Sequence, residues 1–224
     1  MISLKCFSFN SLQCVCTAAW LDGSNRCILC DPGMATVAEQ DRLVAWLGEK
    51  GLTPEAILLT HGHFDHIFGV DFLLRTFPGI PVYMHPLEKK NQHLAPAYAT
   101  YIEGCDIRNE FPTVDIEDGQ LLHLAGLELK VIFTPGHAPG AVSYYDGVHG
   151  IVLSGDTLFA GSIGRSDLPG GDYDVLMDSV LNKLMVLPDD TDVIPGHGPA
   201  TTIGREAMTN PFLLPFNEPE DPEQ

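Results

Sequence analysis

The sequence predicts a mixed α/β fold, and three observations carry that prediction. Short runs rich in Val, Ile and Leu recur along the chain, bounded by Gly, Pro, Asn or Asp. Between them lie longer stretches with helical start and stop signals, at 36–51 and 173–187. Four of the apolar runs end in turns that carry His or Asp, where sites in layered α/β proteins usually lie.

Taken in order, residues 3–9, 13–20 and 26–31 read as strands, with Asp22-Gly23-Ser24-Asn25 turning between the last two. Asp31-Pro32-Gly33 breaks the pattern and shapes a turn. Thr36 reads as the N-cap of a helix to Lys50, with Val37, Val44 and Leu47 on one face and Gly51 as the stop. A strand at 56–60, a helix at 67–77 and a strand at 81–84 follow, and 86–104 mixes helical and loop-like signals. A hairpin over 120–134 turns at Ala125-Gly126, and a second joins 142–145 to 151–153 through Asp146-Gly147. A helix at 173–187, a strand at 191–194 and a short helix at 203–209 complete the pattern. Residues 1–212 are expected to form one domain, and the acidic, proline-rich segment 213–224 to be disordered.

His61-Gly62-His63-Phe64-Asp65-His66 sets four metal-competent side chains within six positions, directly after the run 57–60. Six residues cannot close all four groups around one ion, so two metal positions fit better than one. Three more turns complete the set: Thr134-Pro135-Gly136-His137, Ser154-Gly155-Asp156-Thr157 and Ile194-Pro195-Gly196-His197. The candidate ligands are therefore His61, His63, Asp65, His66, His137, Asp156 and His197. Imidazole with carboxylate suits Zn, with Fe or Mn as alternatives. A natural partition gives His61, His63 and His137 to one ion and Asp65, His66 and His197 to the other, with Asp156 bridging. Two ions about 3.5–4 Å apart lower the pKa of a shared water and clamp a carbonyl.

This constellation resembles the metallo-β-lactamase superfamily, over roughly residues 7–211. The spacings fit: 76 residues from His61 to His137, 19 more to Asp156 and 41 more to His197. The resemblance implies an αβ/βα four-layer sandwich, with two facing sheets, helices outside and metals at one edge. His66 and Asp156 argue against antibiotic hydrolysis, since the common β-lactamase subclasses differ at one or both positions. The stretch from Phe159 through Gly161-Ser162-Ile163-Gly164-Arg165 to Asp172 is similar to a segment of short bacterial type II glyoxalases, the hydroxyacylglutathione hydrolases. Pro195-Gly196-His197-Gly198-Pro199 and Asn210-Pro211-Phe212 are similar to the end of those proteins.

That likeness implies hydrolysis of a small-molecule thioester, an S-(2-hydroxyacyl)glutathione, by a hydroxide shared between two divalent metal ions. Asp65 would orient the hydroxide, and Arg165 would contact substrate. The family's longer members carry a further helical domain with basic residues for glutathione, whereas here 27 residues follow His197. Asp167 stands where an aromatic is common. Persulfide dioxygenases of the same fold, with one iron on residues of the His61, His137 and Asp156 type, are the alternative enzyme class. A non-catalytic scaffold is the third, and such members typically lose ligands that this chain keeps.

Composition excludes other classes. The formal charge is −18, and the 12 Lys and Arg form no patch larger than Lys89-Lys90, which argues against nucleic-acid binding. Cys6, Cys14, Cys16, Cys27, Cys30 and Cys105 are expected to be reduced, mostly buried thiols. Cys27 and Cys30 are three apart in a strand and should face opposite sides. No signal peptide or membrane span is evident, so the cytoplasm is the expected compartment.

Overall fold

A computed structural model describes residues 1–102 and 110–214. It contains two six-stranded sheets. In the first, β1 (Ile2–Phe9), β2 (Cys14–Leu21), β3 (Arg26–Cys30), β4 (Thr53–Leu58), β5 (Val82–Met84) and β6 (Val114–Asp115) lie side by side in chain order. β1, β2 and β3 pair antiparallel, and β3 through β6 pair parallel.

The second sheet contains β7 (Leu121–Leu124), β8 (Leu127–Phe133), β9 (Val142–Asp146), β10 (Ile151–Gly155), β13 (Asp192–Pro195) and β14 (Thr201–Thr202), in the order 14-13-10-9-8-7. Its one parallel pair is β10 with β13, and the rest are antiparallel. A small hairpin of β11 (Leu158–Phe159) and β12 (Ser162–Ile163) stands apart. The β7–β8 hairpin turns where expected, with Ala125 and Gly126 both at positive φ, 51° and 81°, as a two-residue primed turn requires.

The alternation of each strand sorts its side chains into layers. Ile28, Cys30, Ala56 and Leu58 of the first sheet meet Leu127, Leu129, Val131, Tyr144 and Leu153 of the second in a shared core. The opposite face, with Cys27, Leu29 and Ile57, packs on α1 (Val37–Lys50), α3 (Val70–Thr76) and α4 (Lys89–Ile102). The outer face of the second sheet packs Val152 and Val193 on α5 (Tyr173–Ser179) and α6 (Ile203–Thr209). The four layers run helix, sheet, sheet, helix, as expected, and Cys27 and Cys30 face opposite sides.

Several elements differ from the sequence expectation. α1 has its Thr36–Glu39 capping box and its left-handed Gly51 stop, φ 66°. Its buried face, however, is Leu43 and Leu47, while Val37 in the first turn is exposed. The strand expected at 56–60 begins earlier, at Thr53. The helix expected at 67–77 is two, α2 (Phe64–Ile67) and α3, broken at Gly69. Gly69 donates its N–H to the Pro32 carbonyl at 2.7 Å, and a Cβ there would collide with Met34 and that carbonyl.

α5 continues into a π turn at Val180–Leu184, closed by Met185 N–H to the Val180 carbonyl at 2.9 Å. Leu213, placed in the tail by composition, is fully buried with Leu176 and Ile203, so ordered chain reaches past 212. Cys105 and the acidic residues after Leu214 lie outside the described residues. No described helix is long and apolar enough to cross a membrane.

Candidate metal centre

All seven sequence-predicted ligands converge at one edge of the two sheets. His61 follows β4, His63 precedes α2, and Asp65 and His66 lie on it. His137 lies in the β8–β9 turn, Asp156 just after β10 and His197 just after β13. Two backbone bonds sew the sheets together here: Val142 N–H to the Thr60 carbonyl at 2.9 Å, and Val15 N–H to the Gly196 carbonyl at 2.7 Å.

The donors form two groups, and a third set, His61, His66 and Asp156, links them. Donor atoms of His61, His63 and His137 lie within 4.8 Å of one another, and so do those of Asp65, His66, His197 and Cys14. Asp156 stands between. Its Oδ1 is 3.5 Å from His66 Nε2, and its Oδ2 is 3.5 Å from His137 Nε2 and 3.6 Å from His197 Nε2. Gly196 must lack a side chain, because a Cβ there would strike Asp156 Oδ1 and His66.

Hydrogen bonds around the rim fix which ring nitrogen faces inward. Asp31 accepts the Thr60 N–H at 2.8 Å and the Thr60 hydroxyl at 2.7 Å. The spent hydroxyl accepts from His61 Nδ1 at 3.0 Å, leaving His61 Nε2 as a bare lone pair. His137 Nδ1 donates to the Arg165 carbonyl at 2.8 Å, and His197 Nδ1 to the Leu12 carbonyl at 3.0 Å. Asp31 Oδ2 lies 3.0 Å from His66 Nδ1 without the alignment of a good hydrogen bond. His63 is the exception, presenting Nδ1 3.0 Å from His137 Nε2.

Asp31 therefore supports His61 through Thr60 and lies against His66. His61 Nε2, both His66 nitrogens and Asp156 Oδ1 are buried without any hydrogen-bond partner. Orphaned polar atoms of this kind are costly unless something binds them, so the residues fit a metal-filled cavity.

The electrostatics agree for His61, His63 and the two carboxylates. Against the cost of burial, however, Cys14, Asp65 and Asp156 raise the pKa of His66, and Asp65 raises that of His197, when no ion is bound. Burial, then neighbouring imidazoles, holds His61 well below the usual histidine range and brings His63 to about 4, so both are neutral donors. Burial disfavours ionised Asp156, but His66, His137 and His197 outweigh it and keep the carboxyl below its ordinary range. Asp65 is held low against the same burial cost by His66 and by its contact with His197, at 3.3 Å.

Sequence reasoning missed two contributors. Glu88 is fully buried and accepts from Gly62 N–H at 2.8 Å, Gly140 N–H at 2.6 Å and the Asn91 amide at 2.8 Å. It clamps the His61–His63 turn to the loop after His137. Two of its three partners are main-chain groups far along the chain, which leave no motif. Cys14 is the other, read from sequence as a core thiol.

The centre opens into a cavity of about 570 Å³. Phe64, Leu94, Tyr98, Phe159, Ile163 and Leu168 give it apolar walls, and Lys90 and Arg165 are its cations. Arg165 is held by Asp167 through two bonds of 2.8 and 2.9 Å, so its guanidinium is already paired. Glu206 ties the β11–β12 turn to α6, accepting from Gly161 N–H at 2.7 Å and Asn210 Nδ2 at 2.8 Å, which accounts for Asn210 among the residues that marked the resemblance.

A family model described as the metallo-beta-lactamase superfamily matches residues 12–197. A Bacillus subtilis protein named "Probable metallo-hydrolase YqgX" is 41% identical over 203 residues, covering 89% of this chain and 93% of its own. "Hydroxyacylglutathione hydrolase GloC" of Haemophilus influenzae is 33% identical over 220 residues, covering 95% and 98%. Two crystal structures are also similar. One, titled BLEG-1 B3 metallo-beta-lactamase, has TM-score 0.84 and 40% identity, covering 94% of this chain and 99% of its own. The other, TTHA1623 in a di-iron-bound form, has TM-score 0.82 and 41% identity, covering 93% and 100%.

Proposed function

This chain belongs to the metallo-β-lactamase superfamily, and we propose that it is a two-metal hydrolase of a glutathione-type thioester. The observation that carries the proposal is the pair of donor groups joined by Asp156, with buried nitrogens that have no partner of their own. His61, His63 and His137 would hold one ion and Asp65, His66 and His197 the other, with Asp156 shared. Zinc is the ion this donor set suits best. The di-iron-bound form of the similar protein TTHA1623 supports iron as an alternative. Ions held here would lower the pKa of water and polarise a carbonyl.

The chain's own groups do the rest. Asp65 is the residue that orients the attacking water, since its carboxylate faces His66 and His197 at the cavity floor. The apolar walls exclude bulk water and seat the acyl and thiol arms. Water adds its oxygen to the thioester carbon, the C–S bond breaks, and the products are a 2-hydroxy acid and free glutathione. A thiolate leaves without a strong general acid. The name of the Haemophilus relative supports this substrate class. Arg165 would reach a substrate carboxylate by exchanging Asp167 for it.

S-D-lactoylglutathione with a thiol-trapping dye tests this directly. Wild-type protein should release thiol, Asp65→Ala and His61→Ala should lose at least ~100-fold in turnover while staying folded, and a β-lactam should be the poorer substrate. Full activity in either variant, or preference for the β-lactam, would overturn the reading.

A further inference from the structure

We propose that Cys14 is a fifth protein ligand of the ion held by Asp65, His66, His197 and the shared Asp156, so that one of the two metal positions carries a thiolate. This rests on the two-metal reading above and adds a donor to it. Cys14 is fully buried and free. Its sulfur and one donor atom each from Asp65, His66 and His197 lie within 4.8 Å of one another. Around a zinc ion with Zn–S of about 2.3 Å and Zn–N of about 2.0 Å, neighbouring donors stand roughly 3–3.5 Å apart. Contraction of the donors by up to ~1.5 Å onto an ion closes the difference.

A buried cysteine is ordinarily a small core residue, and three others here are. Cys16 and Cys27 pack in the core between the first sheet and its helices, and Cys30 packs between the sheets. Cys14 belongs to none of the apolar clusters among the described residues. It faces polar groups instead, including a His66 ring whose two nitrogens are both buried and unpartnered.

The main chain fixes it there. Cys14 forms a β-bridge with His197, Val15 bonds to the Gly196 carbonyl at 2.7 Å, and the Cys14 Cβ lies against Gly33, where no side chain would fit. The strand that presents Cys14 is thus stitched to the turn that presents His197.

Metal binding would displace the thiol proton to solvent, forming a metal–sulfur bond with no change in oxidation state. The two positions would then differ: three imidazoles in one, and carboxylate, imidazoles and thiolate in the other. A soft thiolate favours zinc over manganese or magnesium at that position.

Cobalt(II) in place of zinc reads this out independently of activity, because a thiolate ligand gives a charge-transfer band in the near ultraviolet. Wild type and Cys16→Ser should show the band, and Cys14→Ser and Cys14→Ala should lack it. Equilibrium dialysis should show the second cobalt bound at least ~10-fold more weakly in the Cys14 variants, with circular dichroism confirming their fold. About two cobalt per chain in the wild type without the band, or a band that survives in Cys14→Ser, would overturn the thiolate ligand and leave the two-metal reading standing. One cobalt with a band lost in Cys14→Ser would keep the ligand and remove the two-metal reading, and one cobalt without a band would remove both. If neither Cys14 variant folds, the wild-type spectrum still decides, since absence of the band overturns the proposal and its presence in Cys16→Ser supports it.

Discussion

Four of the five clustered imidazoles set their outer nitrogen against an oxygen: Thr60 Oγ1 for His61, Asp31 Oδ2 for His66, and the Arg165 and Leu12 carbonyls for His137 and His197. Each of those rings thereby points Nε2 at the cavity. The arrangement needs its supports, and Glu88 is the most exacting because one buried carboxylate serves three donors. Glu88→Gln replaces an acceptor with an N–H facing other N–H groups and should cost about 1–3 kcal/mol of stability. Displacement of the His61–His63 turn should also lower metal affinity by ~10–100-fold. Denaturant unfolding and metal titration check both, and an unchanged metal affinity would leave Glu88 a purely structural residue.

A pH effect belongs to this scale too. In the metal-free protein His63 titrates at about 4, because burial and then His137 disfavour its charge. The unfolded chain takes up that proton near pH 6.5, so the His63 contribution is full above 6.5 and is lost as pH falls toward about 4. Comparing metal-free wild type with His63→Gln across that window should show the variant losing less stability on acidification. The seven motif side chains were legible because His and Asp at successive strand ends have little reason to recur for packing. Glu88, and Cys14 as a donor, were not, because the partners that give them a role at the site are distant backbone groups or the motif residues themselves.

At the scale of elements, local sequence signals fixed boundaries where they act alone. Thr36, Glu39 and Gly51 bracket α1 as their chemistry requires, and Thr36→Ala should cost about 1 kcal/mol in denaturant unfolding. An unaltered midpoint would show that the tertiary contacts of α1 carry its N-terminus unaided. The face of α1 was misread because Val37 at its first turn fits the apolar spacing yet points to solvent, while Leu43 and Leu47 bury against the sheet. The gap at Gly69 was invisible because its cause, the approach of Pro32 and Met34, comes from another part of the chain. The two-residue strands β6, β11, β12 and β14 carry too few residues for any periodicity.

Over the whole molecule, the two sheets share a core and meet at the edge where the donors gather. Alternation and turn chemistry implied mixed α and β, and the layering of two facing sheets came from the family resemblance, whereas the pairing of strands distant in sequence, such as β10 with β13, had no local signal to reveal it. A cavity ringed by unpartnered nitrogens is less stable empty than filled. Metal should therefore add about 3–4 kcal/mol when present at 100–1,000 times its dissociation constant. Chelation should lower the melting temperature and readdition restore it; a melting temperature indifferent to chelation would speak against a metal site built into the fold.

The central claim is two ions doing thioester hydrolysis. Elemental analysis of protein purified without added metal, paired with turnover of S-D-lactoylglutathione on the same sample, tests it most directly. The account predicts about two metals per chain with stoichiometric thiol release. A single iron, no thiol release and oxygen uptake with glutathione persulfide would contradict it.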